Sequence, residues 1–198
     1  MSLLDQPPLD LNVARARLAV LRAMSVHRAL AGVVASVAGL VVLSLAGGRW
    51  GVPLLLGGAA ALALAALSWG DRERLLVRLV AQGDAWRLDE VARFAERLLS
   101  PRRRARLARG LALAAEAGEP GVHEYGTIRP ERAGAVVEEL RSLARAVGDM
   151  NVPLQPVAAA LCRRLLCDAA MSPLYNPRLP EDDMWRLLAI IRRGVGAA

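Results

Sequence analysis

The chain of 198 residues is 55% hydrophobic but only 4% aromatic, and its 26 basic and 19 acidic side chains leave a formal charge of +7. The apolar excess is Ala, Leu and Val, which favours helices and argues against a sheet-based fold. Every basic residue is Arg, the mark of a GC-rich bacterial genome, so arginine density alone is weak evidence for nucleic acid, and the net charge suits anionic lipid as well.

In chain order, residues 1–28 read as an N-terminal cytoplasmic segment built on an amphipathic helix. Leu11, Ala14, Leu18 and Leu21 recur at helical spacing, with Arg15 and Arg22 on another face. Residues 29–48 and 51–69 are then uncharged, and Arg49 is the only charge between Arg28 and Asp71. A bilayer core needs about 20 apolar residues at ~1.5 Å each. Residues 29–70 therefore predict a transmembrane helical hairpin of two spans. Trp50 and Trp69 bracket the second span as an aromatic belt would, and Arg28 and Arg72 mark where charge resumes at the membrane interface.

A cleaved signal peptide fits these runs poorly, because acidic residues, Asp5 and Asp10, would fall in its basic region and its apolar core would be too long. Interfacial helices would need a polar face. Arg15, Arg17, Arg22 and Arg28 precede the spans and Arg72, Arg74 and Arg78 follow them, whereas the connection holds Arg49 alone. That asymmetry predicts both termini in the cytoplasm and location in the inner membrane. Small residues four apart, Gly32 with Ser36, Ala35 with Gly39 and Gly57 with Ala61, would let two helices approach closely. Neither span holds an ionisable residue, which argues against a solute carrier.

Residues 71–198 predict a cytoplasmic helical domain, so the whole chain is all-α. The second span continues to about Gln82 and breaks at Gly83-Asp84. Asp84 is placed to cap a helix reaching Leu99, with Leu88, Val91, Ala95 and Leu98 on one face. Ser100-Pro101 signals a restart, a capping hydroxyl before a first-turn proline, and the new helix stops at Gly118. A loop covers 119–129. Pro130 opens a helix with Val136, Leu140, Leu143 and Val147 at core spacing. A further helix covers 154–171. The last has Glu181, Asp182 and Asp183 at its start and Arg192 and Arg193 at its end, matching the helix dipole.

The basic charge is local. Arg102, Arg103, Arg104, Arg106 and Arg109 crowd the start of one helix, where they oppose its dipole. Arg102, Arg106 and Arg109 share a face. Without interleaved aromatics or a DNA-binding motif the patch does not read as nucleic-acid-binding. It reads as a contact for anionic inner-leaflet lipid or for a partner.

Chemistry is sparse. His123, Glu124 and Tyr125 form a candidate loop site without an orienting partner, and His27 sits just before the first span. Cys162 and Cys167 lie about 140° apart on a helix and cannot easily bridge, which leaves two small thiols and no zinc set. No phosphate-loop, dinucleotide, zinc-protease or serine-hydrolase motif is present. No catalytic residue, metal ligand or cofactor is expected. The expectation is a non-enzymatic, membrane-anchored binding or regulatory module that recruits or tethers a protein partner, or assembles with itself, at the inner membrane face. The alternative is a homo-oligomeric two-span pore gated by its cytoplasmic domain.

Overall fold

The computed structural model describes residues 10–46, 48–83, 88–118, 130–168 and 180–196. Among these residues there are seven helices and no strand: α1 Leu11–Ala46, α2 Gly48–Ala81, α3 Asp89–Leu98, α4 Pro101–Ala117, α5 Pro130–Gly148, α6 Pro156–Asp168 and α7 Glu181–Arg193. The chain divides into two compact units at Leu75/Leu76, a point inside α2.

The unit covering Leu9–Leu75 is made by α1 and the first part of α2. The amphipathic segment and the first apolar run are one helix of 36 residues, unbroken at Arg28. It contains no proline, and its two glycines are isolated, so nothing interrupts the hydrogen-bond ladder. Ala14 and Leu18 are buried while Arg15 and Arg22 are exposed, as the spacing implies. Arg49 and Trp50, read as part of the connection, belong to the first turn of α2.

The two helices approach through small residues. A Cβ added at Gly32 would lie 2.7 Å from Leu62 Cγ and 3.0 Å from the Gly58 carbonyl oxygen. One added at Gly39 would lie 2.9 Å from the Leu55 backbone nitrogen, and one at Gly51 would lie 2.9 Å from the Gly39 carbonyl oxygen. Positions rising along α1 thus meet positions falling along α2, which makes the pair antiparallel. The buried small positions recur every seven residues: Ser25, Gly32 and Gly39 on α1, and Gly51, Gly58 and Ala65 on α2. A seven-residue repeat keeps one seam facing its partner along two long helices. Gly57, part of the expected four-residue pair, is exposed with nothing near it; its neighbour Gly58 is the contact residue.

The unit from Leu76 onward holds α3–α7. α4 and α5 form its main helix pair, and α6 packs on α3, α4 and α7. The core comes from the expected faces of α3 and α5, Val91, Ala95 and Leu98 with Val136, Leu140, Leu143 and Val147, and from Met184, Leu187, Leu188 and Ile191 of α7, a face not picked out from the sequence. Gly83, with φ +74, follows the end of α2, where a left-handed residue stops a helix. After α7 the chain pairs back on the segment before α6: Gln155 N donates to Gly194 O at 2.8 Å, and Gly196 N donates to Pro153 O at 2.8 Å.

Two local expectations change. α3 starts at Asp89 with Leu88 as its N-cap, later than a helix capped by Asp84, a residue that lies outside the described set. α4 does start at Pro101, but the Ser100 hydroxyl does not cap it; Ser100 Oγ donates to Arg97 O at 2.8 Å instead.

Candidate functional site

Two surfaces stand out, one on each unit. On the first unit the distribution of polarity is inverted relative to a water-soluble helix pair. The outward positions are large and apolar: Val34, Val37, Leu40, Val41 and Leu45 on α1, and Val52, Leu56, Leu64 and Leu67 on α2 are all exposed, Leu45 by 83%. The buried described positions within 29–70 are Gly32, Gly39, Gly51, Gly58, Ala65 and Ser68. Two helices, Leu11–Leu45 and Trp50–Ala81, are long and apolar enough to cross a membrane, and only 11% and 22% of their most apolar windows are buried. A core helix of a soluble protein would be mostly buried.

At one level of this pair a side-chain hydrogen bond crosses between the helices. Arg28 Nη1 donates to Ser68 Oγ at 2.6 Å, and Ser68 Oγ donates to Leu64 O at 2.9 Å. The Arg72 guanidinium carbon lies 5.0 Å from the centre of the exposed Trp69 ring, a cation–π arrangement. Arg28, Ser68, Trp69 and Arg72 therefore lie at one level of the pair, as two contacts on different sides of α2. Trp50, 67% exposed, lies nineteen positions from Trp69, about 28 Å along a helix. That length matches a hydrocarbon core of about 30 Å.

The second surface is on α4. Its arginines separate into two roles. Arg104 is 5% exposed: its Nε donates to Val147 O at 3.0 Å, and its Nη2 donates to Asp149 O at 2.6 Å and Val152 O at 3.0 Å. It is thus withdrawn from the exposed patch in which its sequence neighbourhood places it, and it holds the end of α5 and the following connector against the first turn of α4. The positive guanidinium meets the carbonyl end of a neighbouring helix, which offsets its unfavourable place near the start of its own. Arg102, Arg106 and Arg109 are exposed along one stripe. Arg103 is half-buried, 5.9 Å from the centre of the Phe94 ring.

Elsewhere in this unit three arginines are paired with acids. Arg132 Nη1 lies 2.8 Å from Glu181 Oε1, Arg141 Nη1 lies 2.6 Å from Glu138 Oε1, and Arg192 bridges Glu139 and Ser142. Cys162 is fully buried, and desolvation pushes its thiol up to about 12, with a backbone hydrogen bond acting weakly the other way. A thiol so raised is a poor nucleophile and metal ligand. Among the described residues no group of His, Cys, Asp or Glu could hold a metal ion. His123, Glu124 and Tyr125 lie outside the described residues, as does the side chain of Cys167.

Comparison with known proteins finds no matching family model, no similar curated protein and no similar solved structure. Function therefore rests on the geometry of these two surfaces.

Proposed function

We propose that the protein is a membrane-anchored, non-enzymatic helical module: α1 and α2 span the inner membrane as a hairpin, and the unit from Leu76 onward recruits or tethers a protein partner on the cytoplasmic side. The observation that carries the anchor is the inverted helix pair, small and polar inside, large and apolar outside. Lipid tails satisfy such an exterior, and close backbone approach then supplies the helix–helix attraction. Both termini face the cytoplasm in this arrangement, with Trp50 at the opposite interface and Arg28, Ser68, Trp69 and Arg72 at the cytoplasmic headgroups.

The pore alternative is weaker. Its hydroxyl lining would come from Ser36, Ser44 and Ser68, yet Ser68 is buried and bonded within the pair. Ser36 packs against Gly58, and Ser44 Oγ donates to its own helix at Leu40 O. Residues 29–48 and 51–69 hold no ionisable side chain to attract an ion. Cysteine labelling tests the topology. A membrane-impermeant thiol reagent applied to intact spheroplasts is expected to label Trp50→Cys and to reach Asp71→Cys only after permeabilisation. Equal labelling of both in intact spheroplasts would rule the hairpin out.

A further inference from the structure

The stripe on α4 gathers three exposed arginines on one face of a single helix. Arg102, Arg106 and Arg109 have no acid partner among the described residues, whereas Arg132, Arg141 and Arg192 of the same unit each meet a glutamate. Their spacing of four and three puts them on one face. The next position on that face is Leu113, 56% exposed. Of the large apolar side chains described from Leu76 onward, only Leu113 and Met150 are this exposed, Met150 by 51%. Met150 sits in the connector that Arg104 holds against the first turn of α4. Three guanidiniums without acid partners, in line with an exposed leucine, make a surface complementary to anionic headgroups above an apolar layer.

We propose that the Arg102–Arg106–Arg109–Leu113 stripe docks on the anionic leaflet of the membrane that the chain's own helices span, with the guanidiniums on lipid phosphates and Leu113 seated among the acyl-chain carbons nearest the headgroups. This rests on the membrane anchor proposed above. The anchor matters because it keeps a leaflet within reach: α4 begins twenty residues after the end of α2. The arginines supply attraction, and the leucine supplies the depth that a purely diffuse electrostatic contact lacks. An acidic protein surface would meet the same charges, but it would not need the bilayer to be anionic.

The test uses the full chain in nanodiscs of phosphatidylcholine, with and without phosphatidylglycerol. An environment-sensitive nitrobenzoxadiazole label is placed at Leu113→Cys, and in a second sample at Leu40→Cys. Both carry Cys167→Ser, and buried Cys162 stays unlabelled in the native state. The Leu40 label reports the anchor, and its emission is expected to be blue-shifted in both lipids. The Leu113 label is expected to blue-shift only with phosphatidylglycerol and to return to the aqueous value as salt rises. Each arginine near an anionic leaflet is worth about fivefold in such an equilibrium. Arg102→Gln/Arg106→Gln/Arg109→Gln is therefore expected to weaken docking by on the order of a hundredfold at low salt, and by roughly tenfold once screening acts over about 8 Å. A Leu113 label that stays aqueous in anionic nanodiscs while the Leu40 label is buried overturns the docking and leaves the anchor standing. An aqueous Leu40 label overturns the anchor itself. A Leu113 shift that is equal in both lipids, or unchanged in the triple Gln variant, also overturns the proposal.

Discussion

Arg104 and Arg102 sit two residues apart in the same helical turn, yet the same substitution in each should change stability in opposite directions. Arg104→Met keeps most of the buried aliphatic stem and removes the guanidinium. The bond to Val147 O is buried, and losing a hydrogen bond from a charged donor there costs about 1.5–3 kcal/mol. The bonds to Asp149 O and Val152 O are part-buried, so water can replace them and each adds well under about 1 kcal/mol. Removing a positive charge from the start of α4 returns only about 0.3–0.5 kcal/mol through the dipole. The net expectation is a loss of about 2–4 kcal/mol. Arg104→Lys keeps the charge but not the fork that reaches three carbonyls, so it should recover less than half of that loss. Arg102→Met removes an exposed charge that opposes the dipole, and it should be neutral or stabilising within about 0.5 kcal/mol. Urea unfolding of the detergent-solubilised full chain, followed by far-ultraviolet circular dichroism, measures all three. Equal stability of Arg104→Met and Arg102→Met would refute the assignment of Arg104 as the clamp between α4 and α5.

Four further outcomes follow from the packing and from the buried thiol. Leu140→Ala, at a fully buried core position, should cost about 2–5 kcal/mol in the same urea assay. Gly194→Ala sets a new Cβ 2.7 Å from Ala158 Cβ, and neither atom can rotate away, so a loss of about 1–3 kcal/mol is expected in thermal melts. Gly58→Leu should force α1 and α2 apart, because a Cβ at Gly58 would lie 2.8 Å from the Ser36 backbone nitrogen and 2.9 Å from the Gly32 carbonyl oxygen, and a lowered midpoint in thermal melts of the detergent-solubilised chain would show it. For Cys162 the sign is that of an acid whose folded pKa lies near 12, above its ordinary 9.0. Both states hold the proton below pH 9, so the thiol adds no pH dependence there. Between the two values the unfolded state ionises first and stability falls as pH rises, by up to about 1.4 kcal/mol per unit. Unfolding curves across that window should show a shallower slope for Cys162→Ala than for the parent; equal slopes would contradict the shift.

Much of the fold is legible in local pattern. The start of α4 at Pro101, its end at Gly118 and the α7 bounds at Pro180 and Gly194 follow from proline, glycine and charge placement. The buried faces of α3 and α5 follow from spacing of three and four, because a helix fixes which side chains share a side whatever it packs against. Choices that depend on a distant partner are not legible. Gly57 and Gly58 are adjacent and chemically identical; only the position of α1 decides which one lies in the seam. The seven-residue recurrence of Ser25, Gly32 and Gly39 carries that signal in the sequence, whereas spacing of four obscures it. Arg104 sits amid four other arginines, and nothing nearby distinguishes the one that reaches carbonyls over forty positions away. Ser100 has the residue type of an N-cap, but its hydroxyl finds the Arg97 carbonyl first. The stripe itself is half visible: arginine spacing marks Arg102, Arg106 and Arg109, while the exposure of Leu113 depends on which face of α4 the other helices cover.

Membrane insertion of α1 and α2 underlies every functional statement above, and alkaline extraction tests it most directly. Membranes from cells expressing the full chain are washed with carbonate at high pH, which strips proteins held by charge and leaves those held by spanning helices. Insertion predicts that the chain stays in the pellet and is released only by detergent, including when Arg102, Arg106 and Arg109 are all changed to Gln. Release of the full chain into the carbonate supernatant as a soluble species would contradict the anchor.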